Sequence, residues 1–215
     1  MEAPAYGNWL VVVALIAFAA AFSWYLLRPR RVPEWRAFGA TQAFFIALFA
    51  EMYGYPLTIY VLTAATGTTL SLGHVEGHLL GDAIGGATGM GALFGWAVVM
   101  AASTALIVAG TLLVASAWRL VHAAAGGLVT SGPYARVRHP QYVGFLLVIL
   151  GFLVQWPTLP TLVMAPVLAW AYARLARREE ADLRLRFPEV YATYAARVPA
   201  FLPKIRAGAE VAGNG

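Results

Sequence analysis

The chain has 215 residues, 60% hydrophobic and only 12% charged, with a mean hydropathy of +0.69. A soluble domain carries about 25% charged residues, so there is too little polar surface here to cover a globule in water. The pI of about 9.7 does not point to nucleic acid, because the basic residues flank apolar blocks and form no soluble basic face. Cysteine is absent, which excludes disulfides, thiolate zinc sites and cysteine nucleophiles.

Residues 9–27 form a nearly continuous apolar block, about long enough to cross a ~30 Å hydrocarbon core. No Lys or Arg precedes it and it is too long for a signal-peptide core, so it reads as a span. A second block, 38–65, is interrupted by Glu51 and Pro56, and a third runs over 90–117. Residues 142–156 and 158–175 form a fourth and a fifth, joined by a tight Trp156-Pro157-Thr158 turn into a helical hairpin whose short arms only just span.

Every Lys and Arg falls between spans one and two (Arg28, Arg30, Arg31, Arg36), between three and four (Arg119, Arg136, Arg138), or after span five from Arg174 onward. The positive-inside rule then gives one topology, with the N-terminus out and the C-terminus in the cytoplasm. After span five, Phe187, Tyr191, Tyr194 and Val198 recur on one helix face. Pro188 suits a fresh helix start. The sequence therefore predicts an all-α polytopic membrane protein of about five transmembrane helices with a cytoplasmic amphipathic tail helix. It divides into a three-span region 1–117 with an outer loop 66–89, a segment 118–206 carrying the loop, hairpin and tail, and a disordered end 207–215.

The chemistry concentrates on the cytoplasmic side. The 126–144 segment holds a Gly-rich turn, Arg136 and Arg138, an imidazole at His139, and Pro140 at the start of the next span. A helix start with neighbouring N–H groups unused favours a carboxylate or phosphate. His139 and Arg138 add donors, and Tyr134 and Tyr142 offer aromatic faces to an adenine or a cation. A plain basic loop anchoring two helices has the same composition. Below span five, Arg174, Arg177, Arg178, Glu179 and Glu180 could bind a ligand ammonium or form a solvated face with ion pairs along the helix.

At these residues the chain resembles the isoprenylcysteine carboxyl methyltransferases and related membrane methyltransferases. The similarity lies in Leu128-Val129-Thr130-Ser131-Gly132-Pro133-Tyr134, in Arg138-His139-Pro140-Gln141-Tyr142-Val143-Gly144, and in a tail with Glu179-Glu180, Tyr191, Tyr194, Pro199 and Pro203. It covers roughly residues 115–204. The resemblance implies S-adenosylmethionine as methyl donor, with S-adenosylhomocysteine as product. By position it assigns Leu128, Val129, Tyr134, His139, Pro140, Gln141, Tyr142 and Glu179 to that cofactor. The family's substrate arginine falls at Leu175 here, with Arg174 beside it, and the His-Thr pair that precedes Leu-Val in the eukaryotic enzymes is Gly126-Gly127. Arg174 and Arg138 are the candidate catalytic residues, and Glu51 and Arg178 the candidate substrate contacts. The cofactor's carboxylate would go to His139 and the helix start, its ammonium to Glu179. A lipophilic acceptor, an isoprenylcysteine carboxylate or a phospholipid amine, would enter sideways from the bilayer.

Glu51 sits mid-span, where an ionised group costs about 2.5–3.5 kcal/mol. It reads either as a substrate-pocket or metal-binding acid, or as a protonated or helix-capping carboxyl bonded to backbone released by Pro56. His74, Glu76, His78 and Asp82 lie among glycines in the outer loop. The His spacing suits metal ligands, but the glycines argue against a firm helix, and no metal is expected. His122 reads as an interface residue. Two competing functions remain: an NADPH-dependent membrane reductase of the sterol-reductase type, and a non-enzymatic metal- or lipid-binding membrane protein. The partners expected are the bilayer and the lipophilic substrate, with no nucleic acid.

Overall fold

The computed structural model describes residues 7–27, 32–67, 79–124 and 126–203. Side chains are described throughout these stretches except at 26–27 and 32–35. Among the described residues the fold is all-helical, with no strand: α1 (Trp9–Leu27), α2 (Val32–Phe49), α3 (Leu57–Thr66), α4 (Leu79–Thr88), α5 (Ala92–Ala123), α6 (Pro140–Gln155), α7 (Leu159–Arg186) and α8 (Pro188–Arg197). By length and composition, α5 and α7 can each cross a membrane. A third crossing exists if α2 and α3, bent by 68° at their junction, count as one broken span. Helices α1 and α6 are apolar but shorter. The five apolar blocks therefore all fold as helices, but two or three of them meet the length of a span on their own.

The bend between α2 and α3 has an identifiable cause. Residues Ala50–Gly54 form a π-helical turn, and Pro56 cannot donate to the helix before it. The backbone N–H of Thr58 donates to Glu51 Oε2 at 3.0 Å, and the N–H of Leu159 donates to Thr58 Oγ1 at 2.8 Å. Glu51, 5% exposed, thus caps α3 and ties the bend to the start of α7. That start is itself closed by a capping box between Thr158 and Thr161.

The core joins α1, α2, α6 and α7 through Ala19, Phe44, Leu48, Met52, Tyr142, Ile149, Leu168, Tyr172 and Ala176. Tyr172 stacks on Tyr142 and on Phe145, with ring centroids 5.6 and 5.8 Å apart. Its hydroxyl lies 2.6 Å from Thr41 Oγ1, which also donates to the Ala37 carbonyl at 2.8 Å. Helix α5 packs along α6 by another device. A Cβ on Gly144 would stand 2.7 Å from the Gly110 carbonyl oxygen, so only glycine permits this backbone approach.

The same device corrects the expected outer loop. Its second half is not loop but α4, which packs on α5. A Cβ on Gly81 would meet the Trp96 backbone at 3.1 Å, and one on Gly85 would meet the backbone at Gly91 and Ala92. Glycines that signal a turn in sequence here serve close helix contact. Asp82 lies in the first turn of α4, while His74, Glu76 and His78 fall outside the described residues. His122 is exposed, with Nδ1 3.0 Å from the Trp118 carbonyl oxygen.

Candidate functional site

The site assembles where the 126–139 loop, the start of α6, the end of α7 and the tail converge. Gly132, with φ +61°, turns the loop into a short 3-10 segment over Gly132–Ala135. Pro140 then opens α6, where its missing N–H costs nothing. The buried stripe of α7 runs Leu168, Tyr172, Leu175 and Ala176. At i, i+3, i+4 spacing the same stripe continues into Glu179 and Glu180. These two carboxylates lie past Leu175, where the apolar part of α7 ends, and face the loop.

Glu180 is the centre of the network. Its Oε1 accepts from Arg138 Nε at 3.0 Å and lies 2.9 Å from the Arg138 terminal nitrogen and from His139 Nε2. Its Oε2 is 3.6 Å from Arg184. Burial alone would raise the Glu180 carboxyl, but the His139 hydrogen bond and the Arg138 guanidinium outweigh it and hold it below its ordinary value. Because a carboxylate only accepts, His139 Nε2 carries a hydrogen. The other ring nitrogen, Nδ1, is thereby turned to Glu179 Oε2, 3.6 Å away.

Glu179 is the accessible carboxylate, its side chain 43% exposed against 13% for Glu180. Tyr142 donates to its Oε1 at 2.6 Å. Tyr134 is half-buried close by, and burial together with the Glu179 charge pushes its hydroxyl well above the usual tyrosine value, so it stays a donor. Leu128, Val129 and Gln141 are half-buried in the adjoining loop and first turn, and Pro140 is buried. The eight residues expected at the cofactor site thus lie along one loop, one helix start and one helix end.

Arg138 is spent on the fold. Besides Glu180, it donates to the carbonyls of Ala195 and Val198 at 2.9 and 3.2 Å. The backbone N–H groups of Arg138 and His139 donate to the carbonyls of Pro199 and Ala200. Phe201 covers the His139 ring at 5.5 Å, and the Tyr194 hydroxyl donates to the Tyr134 carbonyl at 2.7 Å. The tail is therefore latched over the His139 side of the site. Burial, with a smaller contribution from Tyr191, pushes the Tyr194 hydroxyl up to about 12, so it holds this bond as a donor at any ordinary pH. Sequence reading names Glu180 beside Glu179 but misses its union with Arg138, Phe201 and the tail carbonyls. The continuation of the buried α7 stripe was the signal available for Glu180.

Three other expected residues are not brought to this point. Arg174 is exposed, its guanidinium 5.3 Å from the centre of the Trp170 ring. Glu179 lies five positions further along the helix, about 140° around its axis, which turns the two to different faces. Arg178, one turn below Arg174, is also exposed. Glu51 lies by the Thr158 end of α7, roughly 30 Å from Glu179 at the rise of an α-helix.

With this geometry in place, the comparisons are informative. Residues 92–184 match the isoprenylcysteine carboxyl methyltransferase (ICMT) family, so this segment is ICMT-like. The chain is 47% identical over 79 residues to the cobalt-zinc-cadmium resistance protein CzcN of Cupriavidus metallidurans, covering 36% of this chain and 36% of that protein. It is 40% identical over 80 residues to the nickel-cobalt-cadmium resistance protein NccN of Alcaligenes xylosoxydans xylosoxydans, covering 36% and 37%. It is 39% identical over 79 residues to the protein-S-isoprenylcysteine O-methyltransferase of Schizosaccharomyces pombe, covering 36% and 34%. The aligned stretch thus spans about a third of each relative. No solved structure matches at a significant level.

Proposed function

We propose that this ICMT-like chain is an S-adenosylmethionine-dependent membrane methyltransferase acting on a lipophilic carboxylate of the isoprenylcysteine class. The observation that carries the reading is the exposed Glu179 carboxylate, held by Tyr142 and facing His139 Nδ1. S-adenosylmethionine, when bound, supplies an electrophilic methyl group. Glu179 is the acceptor that suits its ammonium, and His139 Nδ1 lies 3.6 Å from the same carboxylate. Two features support this reading. The Glu180 bond leaves Nδ1 as the ring atom facing Glu179, and the α6 start leaves the N–H of Gln141 outside the intrahelical ladder, where it suits a carboxylate. Tyr134 and Tyr142 suit the sulfonium and the adenine. A carboxylate acceptor needs no base, so the protein's task is to align the reactants and exclude water.

The topology we propose has five apolar segments, with the N-terminus outside and the site at the cytoplasmic face. The arginine distribution supports it, as do the large apolar side chains exposed along the helices, among them Phe18, Leu112 and Val163. One experiment tests chemistry and face together. Inside-out vesicles containing the chain, given S-farnesylcysteine and tritiated S-adenosylmethionine, are expected to form a labelled, base-labile ester. Sealed right-side-out vesicles are expected to stay at the vector background. Absence of label in both, or label only in the right-side-out vesicles, refutes the corresponding part.

The names of two relatives favour a second reading, a role in metal resistance. Its candidate ligands are His74 and His78. Zinc binding by the purified chain that is lost in a His74→Ala, His78→Ala double variant supports it, and zinc binding unchanged by that variant removes it.

A further inference from the structure

The methyltransferase reading leaves one feature of the N-terminal half unused. Gln42 on α2 keeps its Nε2 buried with no hydrogen-bond partner among the described residues. A buried donor without a partner is destabilising, and more so where no water can reach it. Such groups persist where something else satisfies them.

The position of Gln42 says where that something lies. Its chain neighbour Thr41 is bonded to Tyr172, which stacks on Tyr142, whose hydroxyl holds Glu179. Gln42 is therefore one residue from the wall that backs the candidate cofactor site, on its membrane side. By helix register Gln42 shares a face with Phe45 and Phe49. Both of those rings meet Phe152 of α6, at 5.7 and 6.3 Å. Phe49 is buried in the core, while Phe45 and Phe152 are half-buried, so the surroundings combine one amide donor at the inner end with accessible aromatic surface from these two rings. This is the pattern of a site for an amphiphile, in which a polar head meets the donor and a hydrocarbon tail meets the rings.

We propose that Gln42 is the polar anchor of the acceptor site, donating from Nε2 to a carboxylate oxygen of a lipophilic acid whose hydrocarbon chain packs on the half-buried Phe45 and Phe152 rings. The inference rests on the methyltransferase reading for the identity of the second substrate. It assigns acceptor specificity to α2, outside the ICMT-like segment 92–184.

The test uses the full chain in nanodiscs and three probes: S-adenosylhomocysteine, S-farnesyl-thiopropionic acid, and the same thioether with its carboxyl replaced by hydrogen. Wild type is expected to bind the acid at least ten-fold more tightly than the carboxyl-free analogue. Gln42→Leu is expected to lose that ten-fold preference while binding S-adenosylhomocysteine within two-fold of wild type and melting no lower. Gln42→Asn, which shortens the donor but keeps it, is expected to fall between. Equal affinity of Gln42→Leu and wild type for the acid overturns the inference, as does failure of wild type to prefer the acid, even where S-adenosylhomocysteine binds. Failure of wild type to bind S-adenosylhomocysteine overturns the methyltransferase reading and the inference with it.

Discussion

Replacing Glu180 with alanine is expected to destabilise the junction of the 126–139 loop, the end of α7 and the tail by about 3 kcal/mol, the lower range for breaking a buried ion pair. The side chains of Arg138 and His139 are only 15% and 4% exposed, so neither regains full hydration when its carboxylate partner is removed. Arg138 also carries two tail carbonyls, and its release should free the segment beyond Pro188. Limited proteolysis and thermal unfolding in detergent check this: cleavage after Phe187 should accelerate in Glu180→Ala and in Arg138→Ala alike, because both cut the same latch. Cleavage at the wild-type rate in either variant would show that the latch does not depend on the pair. The pH dependence follows from the sign of the shift. The folded Glu180 carboxyl lies below its ordinary value, so its contribution is present at neutral pH and is lost as pH falls through that lower value. The tail should therefore be protected from protease at neutral pH and become accessible in acid, and Glu180→Gln should remove most of that dependence.

Glu179→Ala is expected to act on ligand binding and little on stability. Its side chain is 43% exposed, so its removal leaves no buried charge unpaired. A hydrogen bond to a charged group contributes about 1.5–3 kcal/mol, which predicts a roughly 10- to 150-fold loss of affinity for S-adenosylhomocysteine. Tyr142→Phe keeps the ring stacked on Tyr172 and removes only the donor that aims Glu179. A loss of a few-fold, about one ordinary hydrogen bond, is expected there. Calorimetry on the three proteins checks the order: wild type tightest, Tyr142→Phe intermediate, Glu179→Ala weakest. An unchanged affinity in Glu179→Ala would remove the carboxylate from the site.

Much of this arrangement is written in local sequence. The apolar blocks set the helices, Pro140 and Pro188 set two helix starts, and the adjacency of Arg138, His139 and Pro140 set the loop that meets them. What could not be read was the use to which each charge is put. Arg138 and Arg174 look equivalent in the chain, yet one is clamped between Glu180 and the tail while the other lies exposed over Trp170. The difference is one of helix phase and of a tertiary contact some 60 residues away in the chain, neither of which composition reveals. Composition does not tell Glu179 from Glu180 either, and only the resemblance singles out Glu179; the fold leaves that carboxylate accessible and surrounds the other. At Glu51 the sequence leaves open a substrate-pocket acid, a metal-binding acid and a helix cap, and the structure shows its carboxylate accepting from the Thr58 N–H. The α4 helix was hidden because its glycines serve helix contact, which in sequence is the same letter as a turn. The acceptor side was least legible, because α2 lies outside the resembling segment and Gln42 stands out only by lacking a partner.

The proposed function requires that the site between the α6 start and the end of α7 bind a sulfonium methyl donor and not a nicotinamide. The most direct test is equilibrium binding of S-adenosylhomocysteine and of NADPH to the full chain in nanodiscs, measured side by side. The account predicts saturable binding of S-adenosylhomocysteine at one site per chain, competed by S-adenosylmethionine and weakened in Glu179→Ala, with no saturable binding of NADPH. Saturable binding of NADPH without binding of S-adenosylhomocysteine would contradict it and would favour a membrane reductase.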